Sequence, residues 1–250
     1  HRSIRRQRQM CIRDSVISAV ERSGTIERFV HTSSTAAIRP MEWKDGSILT
    51  ADIWANDATL ENNPYGLAKV SAEKIVRDWH ASLESGTRPR LVTIHPCMVF
   101  GPPLSPRHLR GSLAILMAMI RRTVPLSLPM QINIVDVRDV AEAHVRALEE
   151  GQEGGRYLTV SGDMMMTDIA KALKKAHPGR RWATREAPYW LALVASFFHP
   201  KIDVSWAKRH LRKRLDWDAS PAEDDLGMEW IEPLQSILDT VPPILENGWD

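Results

Sequence analysis

Residues 27–34 read ERFVHTSS, an apolar run that ends in small hydroxyl residues. The β-branched and aromatic side chains of this run predict a buried strand with Thr32, Ser33 and Ser34 at its carboxyl end. A second run of this kind, RLVTIH, follows at residues 90–95. A helical segment lies between the two, and this order of strand, helix and strand predicts a parallel sheet.

The helix between the two strands begins after two asparagines, Asn62 and Asn63. Asparagine is a good N-cap residue and Pro64 suits a first helical turn, so the pattern predicts a helix over residues 64–84. Tyr65 and Lys69 are four residues apart and therefore share one face of this helix. The expected packing positions are Val70, Ile75, Val76 and Trp79.

A tyrosine with a lysine one helical turn away can exchange protons with a substrate. A free phenol has a pKa of about 10 and exchanges protons poorly at neutral pH. An ammonium about 4 Å away stabilises a phenolate by about 4 kcal/mol at an effective dielectric constant near 20. Ser34 would hold a substrate oxygen while Tyr65 transfers the proton, which is the chemistry of hydride transfer at a carbonyl. The spacing alone also fits an amphipathic tyrosine beside a solvated lysine.

Several ordered motifs give the chain a resemblance to a known family, over about residues 16–245. They are VHTSS at 30–34, NPYGLAK at 63–69, HPCMVFGP at 95–102, IVDVRDVAEAH at 134–144, GRYLTV at 155–160 and LGMEW at 226–230. The chain resembles the extended short-chain dehydrogenase/reductase family, in its epimerase/dehydratase branch. Within that branch it is similar to dihydroflavonol-reductase-like and 3β-hydroxysteroid-dehydrogenase-like proteins.

This resemblance implies an α/β fold with a doubly wound, Rossmann-type parallel sheet and a smaller, mixed C-terminal substrate domain. It implies NAD or NADP as the cofactor and assigns Tyr65 as the general acid/base. Lys69 would stabilise the phenolate and bind the nicotinamide ribose, and Ser34 would orient the reacting oxygen. The implied cofactor-binding residues are Thr32, Tyr65, Lys69, Pro96, Met98 and Val99.

Enzymes of this family begin with a strand, a glycine-rich turn and a helix that holds the cofactor pyrophosphate. No Gly-x-x-Gly-x-x-Gly pattern occurs in this sequence. We therefore expect a partial sheet that lacks its first strands, and a fragment that alone is inactive, binds NADH or NADPH weakly and self-associates. Residues 1–15 carry five arginines against one acid and resemble a non-native leader. The expected domains are residues 16–162, the C-terminal part of the dinucleotide-binding domain, and residues 163–250, the substrate-binding domain.

The function that the resemblance favours is reversible, NAD(P)-dependent reduction of a carbonyl on a hydrophobic small molecule. Two alternatives stay open: a nucleotide-sugar epimerase or dehydratase that retains its NAD, and a non-catalytic cofactor-sensing or scaffold protein. Residues 113–117 and 189–198 are expected to line an apolar pocket. Arg107 and Arg110 could begin a diphosphate site, but the side chains around them are mainly aliphatic and aromatic.

The composition is that of an ordinary globular chain, with 43% hydrophobic and 26% charged residues. Its two cysteines do not form a disulfide framework, which favours a reducing compartment and predicts a cytoplasmic protein. The nine histidines show no metal-ligand spacing, so no metal site is predicted.

Two further segments have alternative interpretations. Residues 188–198, PYWLALVASFF, are strongly apolar, but a bilayer span needs about 20 residues, so no stable membrane span is predicted. We interpret this segment as a buried helix, with a substrate lid or a surface membrane contact as the alternatives. Residues 208–214, KRHLRKR, are interpreted as the solvated face of a helix over about 204–215 rather than a nucleic-acid site. The predicted partner is a small-molecule substrate, with a homodimer as the candidate assembly.

Overall fold

The computed structural model describes residues 15–86, 88–123, 125–198 and 204–250. Its strands are β1 (Arg28–Thr32), β2 (Ser47–Leu49), β3 (Arg90–Pro96), β4 (Met98–Phe100), β5 (Gln131–Asp136), β6 (Arg156–Thr159), β7 (Gly162–Met165) and β8 (Leu215–Trp217). Its helices are α1 (residues 15–23), α2 (Pro64–Ser82), α3 (Leu113–Ile120), α4 (Val137–Glu149), α5 (Met166–Ala176), α6 (Tyr189–Phe198), α7 (Val204–His210), α8 (Ser220–Leu226) and α9 (Pro233–Glu246). The leader prediction falls outside the described residues except at Ser15, and the domain boundary after residue 162 stays a prediction.

Three parallel strands form the sheet that carries the predicted site. Their order is β1-β3-β6, with Thr32 paired to Ile94 and Pro96 paired to Thr159. The carboxyl ends of the three strands therefore lie at one edge of the sheet. In open α/β sheets, this is the edge at which ligands bind.

Helices pack on both faces of this sheet. On one face, Arg77 of α2 donates a hydrogen bond to the Thr93 hydroxyl at 3.3 Å. The opposite face packs against α4 and α8 in an apolar cluster of Val92, Ile94, Ala143, Ala147, Tyr157, Ala222, Leu226 and Met228. A parallel sheet covered by helices on both faces confirms the predicted α/β class.

Strand β1 is less buried than its sequence suggests. It lies at an edge of the three-stranded sheet, where β3 is its partner, and the side chains from Phe29 to His31 are only partly buried. Phe29 contacts Trp79 of α2 edge-on, with ring centroids 5.9 Å apart. The prediction of a strand is confirmed, but the prediction that it is buried is wrong because only one side of β1 is covered by a neighbouring strand.

A second sheet connects this part of the chain to the C-terminal helices. Its order is β4-β5-β7, with β4 parallel and β7 antiparallel to β5, whereas β2 and β8 form a separate parallel pair. The larger apolar core lies between this mixed sheet and the helices α3, α5 and α9. Leu116, Ile134, Ile169 and Ile237 in that core are at most 1% exposed.

Two helices are shorter than the sequence pattern suggests, because a residue with positive φ interrupts each of them. The run over 109–122, rich in leucine, isoleucine and methionine, predicts a helix, but Gly111 (φ 70°) interrupts it and α3 begins only at Leu113. The helix predicted over about 204–215 ends with α7 at His210, because Arg212 has a φ of 57°. Leu215 then begins β8, which pairs with β2. That pairing joins segments far apart in sequence, so no local pattern indicates it.

Helix α6 leaves much of its apolar surface exposed. Ala192 and Ser196 are buried, but Trp190 is 66%, Val194 48% and Phe197 73% exposed. Positions 190, 194 and 197 lie on one helical face, so the interpretation as a fully buried helix is wrong for that face. None of the helices in the described ranges is long and apolar enough to cross a membrane.

Two half-buried histidines, whose Nε2 atoms are buried, make the stability of the fold depend on pH. Burial lowers the pKa of His31 in β1 to about 4, and burial likewise lowers the pKa of His210 in α7 to about 4. An unfolded histidine has a pKa of about 6.5, so the unfolded chain binds more protons between about pH 6.5 and pH 4. The stability that these groups contribute is therefore complete above about pH 6.5 and is lost as the pH falls toward about 4.

We expect the thermal midpoint of the chain to be lower at about pH 4.5 than at about pH 7. A variant with both His31→Gln and His210→Gln should show a smaller decrease, because it lacks two of the groups whose pKa is lower in the folded chain than in the unfolded chain. The carboxyl groups are the same in both proteins, so their contribution to the decrease of the thermal midpoint cancels in the comparison. An equal decrease in the two proteins would contradict this account.

Candidate active site

The end of β1 leads directly into a short loop that carries Ser34. This residue is the N-cap of a 3-10 helix over Thr35–Ala37, and its hydroxyl oxygen accepts a hydrogen bond from the Ala36 amide at 3.2 Å. The Ser34 hydroxyl also donates a long hydrogen bond, 3.5 Å, to the carbonyl oxygen of Pro96. Ser34 therefore lies between the carboxyl ends of β1 and β3.

The first turn of α2 lies against this loop. Asn63 caps the helix by accepting a hydrogen bond from the Gly66 amide at 2.9 Å, and the first helical residue is the predicted proline. A Cβ atom at Gly66 would lie 3.0 Å from the Ala36 carbonyl oxygen, so glycine permits the helix to approach the loop closely. Tyr65, the residue before this contact, has a side chain that is 54% exposed.

Lys69 connects the helix to the end of β1. Its Nζ donates hydrogen bonds to the carbonyl oxygens of Thr32 at 3.4 Å and Ser33 at 3.2 Å. An ammonium has three N–H donors, so one donor remains for a bound group. The structure thus places Ser34, Tyr65 and Lys69 at one edge of the sheet, while their catalytic roles stay a prediction.

Thr32 has a side-chain partner that the sequence pattern does not reveal. Its hydroxyl is hydrogen-bonded to His144 Nε2 of α4 at 2.7 Å, and His144 Nδ1 donates to the Val140 carbonyl oxygen at 2.7 Å. These contacts hold the end of β1 against α4. The hydroxyl of Thr32 therefore has a partner within the chain, and its role as a cofactor contact stays a prediction.

The remaining predicted cofactor-binding residues lie where the chain passes from one sheet to the other. Pro96 ends β3, and Met98 and Val99 belong to β4. The Val99 amide donates to the Ser112 hydroxyl at 3.1 Å, so that amide is not free to bind a cofactor carboxamide. The side chains of Met98 and Val99 are half-buried at the same edge.

The structure contains a buried carboxylate beneath these residues that the sequence analysis did not include in the site. Glu73 of α2 is 0% exposed. It accepts hydrogen bonds from Ser33 Oγ at 2.7 Å, His95 Nε2 at 2.8 Å and Arg156 Nε at 2.7 Å, and Arg77 Nε lies 3.4 Å away. The sequence feature that could have revealed Glu73 is its position three residues after Val70, a predicted packing residue of the same helix. An acid on a buried helical face needs compensating partners.

Arg156 extends this network to the loop around residues 51–54. Its Nη1 donates to the carbonyl oxygens of Ala51 and Ile53, the latter at 3.1 Å. Its guanidinium lies over the ring of Trp54, 3.9 Å from the centroid. The loop therefore covers the Arg156 guanidinium, which in turn binds the buried Glu73 carboxylate of α2.

Burial and pairing together determine the charges in this network. Burial by itself raises the pKa of the Glu73 carboxyl, but the His95 hydrogen bond and the Arg156 charge outweigh burial and hold that pKa well below its usual range. Burial lowers the pKa of His95 more than Glu73 raises it, so a neutral ring donates its Nε2 proton to the carboxylate. Burial also lowers the pKa of the Lys69 ammonium, and the charge of Glu73 opposes this decrease.

Cys97 and the possible metal ligands add no reactive group to the site. Burial raises the pKa of the Cys97 thiol, which therefore stays protonated at neutral pH and does not act as a nucleophile. Across the described parts of the chain, no cluster of three or more histidine, cysteine, aspartate or glutamate side chains could hold a metal ion.

The residues expected to line an apolar pocket have two different environments. Leu113, Leu116 and Met117 are buried in the larger core, where they act as packing residues. Trp190 and Phe197 of α6 are exposed instead. The side chain of Phe198 lies outside the description. These three residues of α3 therefore fill the core, whereas Trp190 and Phe197 of α6 present apolar surface to solvent.

A cavity of about 220 Å³ lies beyond the carboxyl end of β6. Its lining includes Ser161, the indoles of Trp217 and Trp230, and the three carboxylates of Asp163, Asp216 and Glu223. Its lining comes from β5, β7, β8 and the α8 region, and it does not include Ser34, Tyr65 or Lys69.

Comparison with known proteins identifies the family. Residues 7–160, more than half of the chain, match the NAD dependent epimerase/dehydratase family. The chain therefore belongs to that family, which confirms the resemblance carried by its motifs.

Two relatives and one solved structure illustrate the relationship. The ketoreductase azaE of Aspergillus niger is 34% identical over 170 residues, which cover 62% of this chain and 48% of the relative. Cinnamoyl-CoA reductase 1 of Arabidopsis thaliana is 27% identical over 234 residues, which cover 89% of this chain and 59% of the relative. The crystal structure of Gre2 from Candida albicans in complex with NADPH matches with a TM-score of 0.71 and 26% identity, over 94% of this chain and 69% of that one. The chain spans about half to three fifths of the length of the curated relatives it matches.

Proposed function

We propose that the protein is an NAD(P)-dependent reductase that reversibly converts a carbonyl of a hydrophobic small molecule into an alcohol. The observation that carries this proposal is the position of Lys69. Its ammonium is bonded to the carbonyl oxygens at the end of β1, one helical turn from Tyr65 and beside the loop of Ser34. A tyrosine, a lysine and a serine at one strand edge supply the groups that proton transfer to a carbonyl oxygen requires.

The residues at this edge fit the nicotinamide end of an NAD(P) cofactor. Lys69 retains one N–H donor, which suits a ribose hydroxyl. The similar Gre2 protein crystallised with NADPH, which supports the same cofactor class here. The residues proposed to contact the cofactor are Thr32, Tyr65, Lys69, Pro96, Met98 and Val99. A bound NAD(P)H would supply the hydride, and the protein would supply position and electrostatics.

The side chains of the site would divide the proton transfer between them. Tyr65 donates its proton to the substrate oxygen, and the Lys69 ammonium stabilises the phenolate that remains. Ser34 donates a hydrogen bond to the same oxygen. Its present bond to the Pro96 carbonyl is long, at 3.5 Å, so a substrate oxygen can replace that acceptor at little cost.

A hydrophobic carbonyl compound suits the surroundings better than a nucleotide sugar. A diphosphate needs converging cations and amides. The segments expected to line the pocket, residues 113–117 and 189–198, are instead mainly aliphatic and aromatic. The names ketoreductase and cinnamoyl-CoA reductase among the relatives also favour carbonyl substrates.

A panel of cofactor-oxidation assays on the full-length enzyme tests this proposal. Apolar aromatic ketones and aldehydes are compared with UDP- and GDP-sugars, and each carbonyl compound is paired with its own alcohol as a background control. We expect NADPH or NADH oxidation with the apolar carbonyls. Turnover confined to the nucleotide sugars would favour the epimerase or dehydratase alternative, and binding of cofactor without any turnover would favour the non-catalytic alternative.

We also propose that the enzyme acts in the cytoplasm and forms a homodimer. The first proposal rests on its sparse cysteines and the second on the family resemblance. Light scattering of the purified full-length protein tests the dimer, for which a monomeric mass would be the contrary result.

A further inference from the structure

The buried carboxylate of Glu73 and the ammonium of Lys69 bind the same residue, Ser33, which directly follows β1. The Ser33 carbonyl oxygen accepts a hydrogen bond from Lys69 Nζ at 3.2 Å, and the Ser33 hydroxyl donates to Glu73 Oε2 at 2.7 Å. Glu73 lies four residues after Lys69, so the two side chains share one face of α2. Ser33 is 3% exposed and immediately precedes Ser34.

Two other strands of the same sheet also bind Glu73. His95 of β3 and Arg156 of β6 donate to its carboxylate at 2.8 Å and 2.7 Å. The carboxylate therefore joins α2 to β3, to β6 and to the residue that follows β1, beneath the strand ends that carry the candidate site. Because the carboxylate and its hydrogen-bonding partners are buried, solvent does not compete for these bonds.

We propose that Glu73 is a positioning residue, which acts through Ser33 to hold the Lys69 ammonium in register with Tyr65 and Ser34. This inference rests on the proposed function of that site. Glu73 would not contact substrate or cofactor itself.

The charges around the pair favour a second effect of Glu73 on Lys69. Burial lowers the pKa of the Lys69 ammonium, and the charge of Glu73 raises it. The other titratable or charged groups that face the pair are His31 of β1, Arg77 of α2, His95 of β3 and Arg156 of β6. Among these named groups Glu73 is the only acid, so it is the one that favours the protonated amine.

The test is the pH dependence of amine labelling at Lys69, which requires neither substrate nor cofactor. A small acylating reagent reacts with the deprotonated amine, and mass spectrometry of the Lys69 peptide gives the extent of reaction. In Glu73→Gln the labelling midpoint should move to lower pH, because the charge that favours the ammonium is lost. Well below the midpoint, each unit of decrease raises the reactive fraction about tenfold. An unchanged midpoint would overturn the proposal.

A second variant covers the case in which Glu73→Gln does not fold. Unfolding would move the Lys69 midpoint upward, toward the ordinary lysine value of about 10.4, which distinguishes it from the expected decrease. In Ser33→Ala the charge of Glu73 remains and only the connecting hydroxyl is lost. Labelling of Lys69 should then be about threefold faster or more at a given pH, the scale of one hydrogen bond. An unchanged rate in Ser33→Ala would also overturn the proposal.

Thr93→Val is the matched control. Thr93 is buried in the same layer, but its hydroxyl accepts from Arg77 and does not contact Glu73. Valine has nearly the same shape, so the control removes one buried hydrogen bond from the same face of the sheet. It should leave both the midpoint and the rate of Lys69 labelling unchanged. If it altered them as much as the test variants do, the effect would belong to the whole layer and not to Glu73, which would refute the proposal.

A failure of this inference can be distinguished from a failure of the proposed function. If Tyr65 proved dispensable for turnover while Glu73→Gln still lowered the labelling midpoint, the catalytic proposal would fail and the placement of Lys69 by Glu73 would stand. If Tyr65→Phe were inactive while Glu73→Gln left the labelling midpoint of Lys69 unchanged, the placement of Lys69 by Glu73 would fail and the catalytic proposal would stand.

Discussion

Replacing Tyr65 by phenylalanine is expected to lower the turnover of a carbonyl substrate at least about 100-fold in the full-length enzyme, the scale of general acid–base catalysis. The substitution keeps the ring and removes the transferable proton. Because the Tyr65 side chain is 54% exposed, the fold should lose little stability. Cofactor affinity should also change little, so a titration with NADPH serves as the measurement of an intact site.

Tyr157→Phe is the matched control for this substitution. The Tyr157 hydroxyl donates to Asp225 at 2.9 Å and accepts from the Gln152 amide at 3.0 Å, on the side of the sheet opposite α2. Its loss should cost about 1 kcal/mol of unfolding free energy and leave turnover close to that of the parent enzyme. Near-normal turnover in Tyr65→Phe, or an equal loss in Tyr157→Phe, would contradict the assignment of Tyr65.

Replacing Glu73 by alanine should lower the free energy of unfolding by about 3–5 kcal/mol, because removal of one partner leaves buried charge without compensation. The guanidinium of Arg156 would lose its carboxylate, and the Ser33 hydroxyl and His95 Nε2 would lose their acceptor. Urea denaturation of the variant and the parent protein measures the difference.

Asp78→Ala on the same helix is the control for Glu73→Ala. Asp78 is exposed, and substitutions at such positions usually change stability by less than about 0.5 kcal/mol. A loss below about 1 kcal/mol in Glu73→Ala would show that the carboxylate contributes little to the fold, contrary to the hydrogen bonds that surround it.

Features that depend on neighbouring residues were predictable from the sequence. The cap of α2 by Asn63, its proline start and the spacing of Tyr65 and Lys69 are local signals, and the structure has all three. Gly24, with a φ of 62°, follows the end of α1, as is common for a glycine after a helix. These features agree because capping, proline geometry and helical periodicity act within a few residues of chain.

Features that depend on distant residues were not predictable in the same way. The expected packing positions Ile75 and Trp79 of α2 are only partly buried, whereas Glu73 is completely buried. The apolar pattern alone cannot indicate this, because Glu73 is buried by partners on β3, on β6 and at the residue that follows β1. The same holds for β8, whose partner strand lies more than 160 residues earlier.

Transfer of deuterium from labelled cofactor to product is the most direct test of the central claim. The full-length enzyme is incubated with NADPH that carries deuterium at the transferable position, an apolar ketone and, in parallel, a nucleotide sugar. We predict one deuterium at the former carbonyl carbon of the alcohol and one cofactor oxidised for each product formed, with this transfer lost in Tyr65→Phe. The account would be contradicted if the nucleotide sugar were converted without net cofactor oxidation and the ketone did not react.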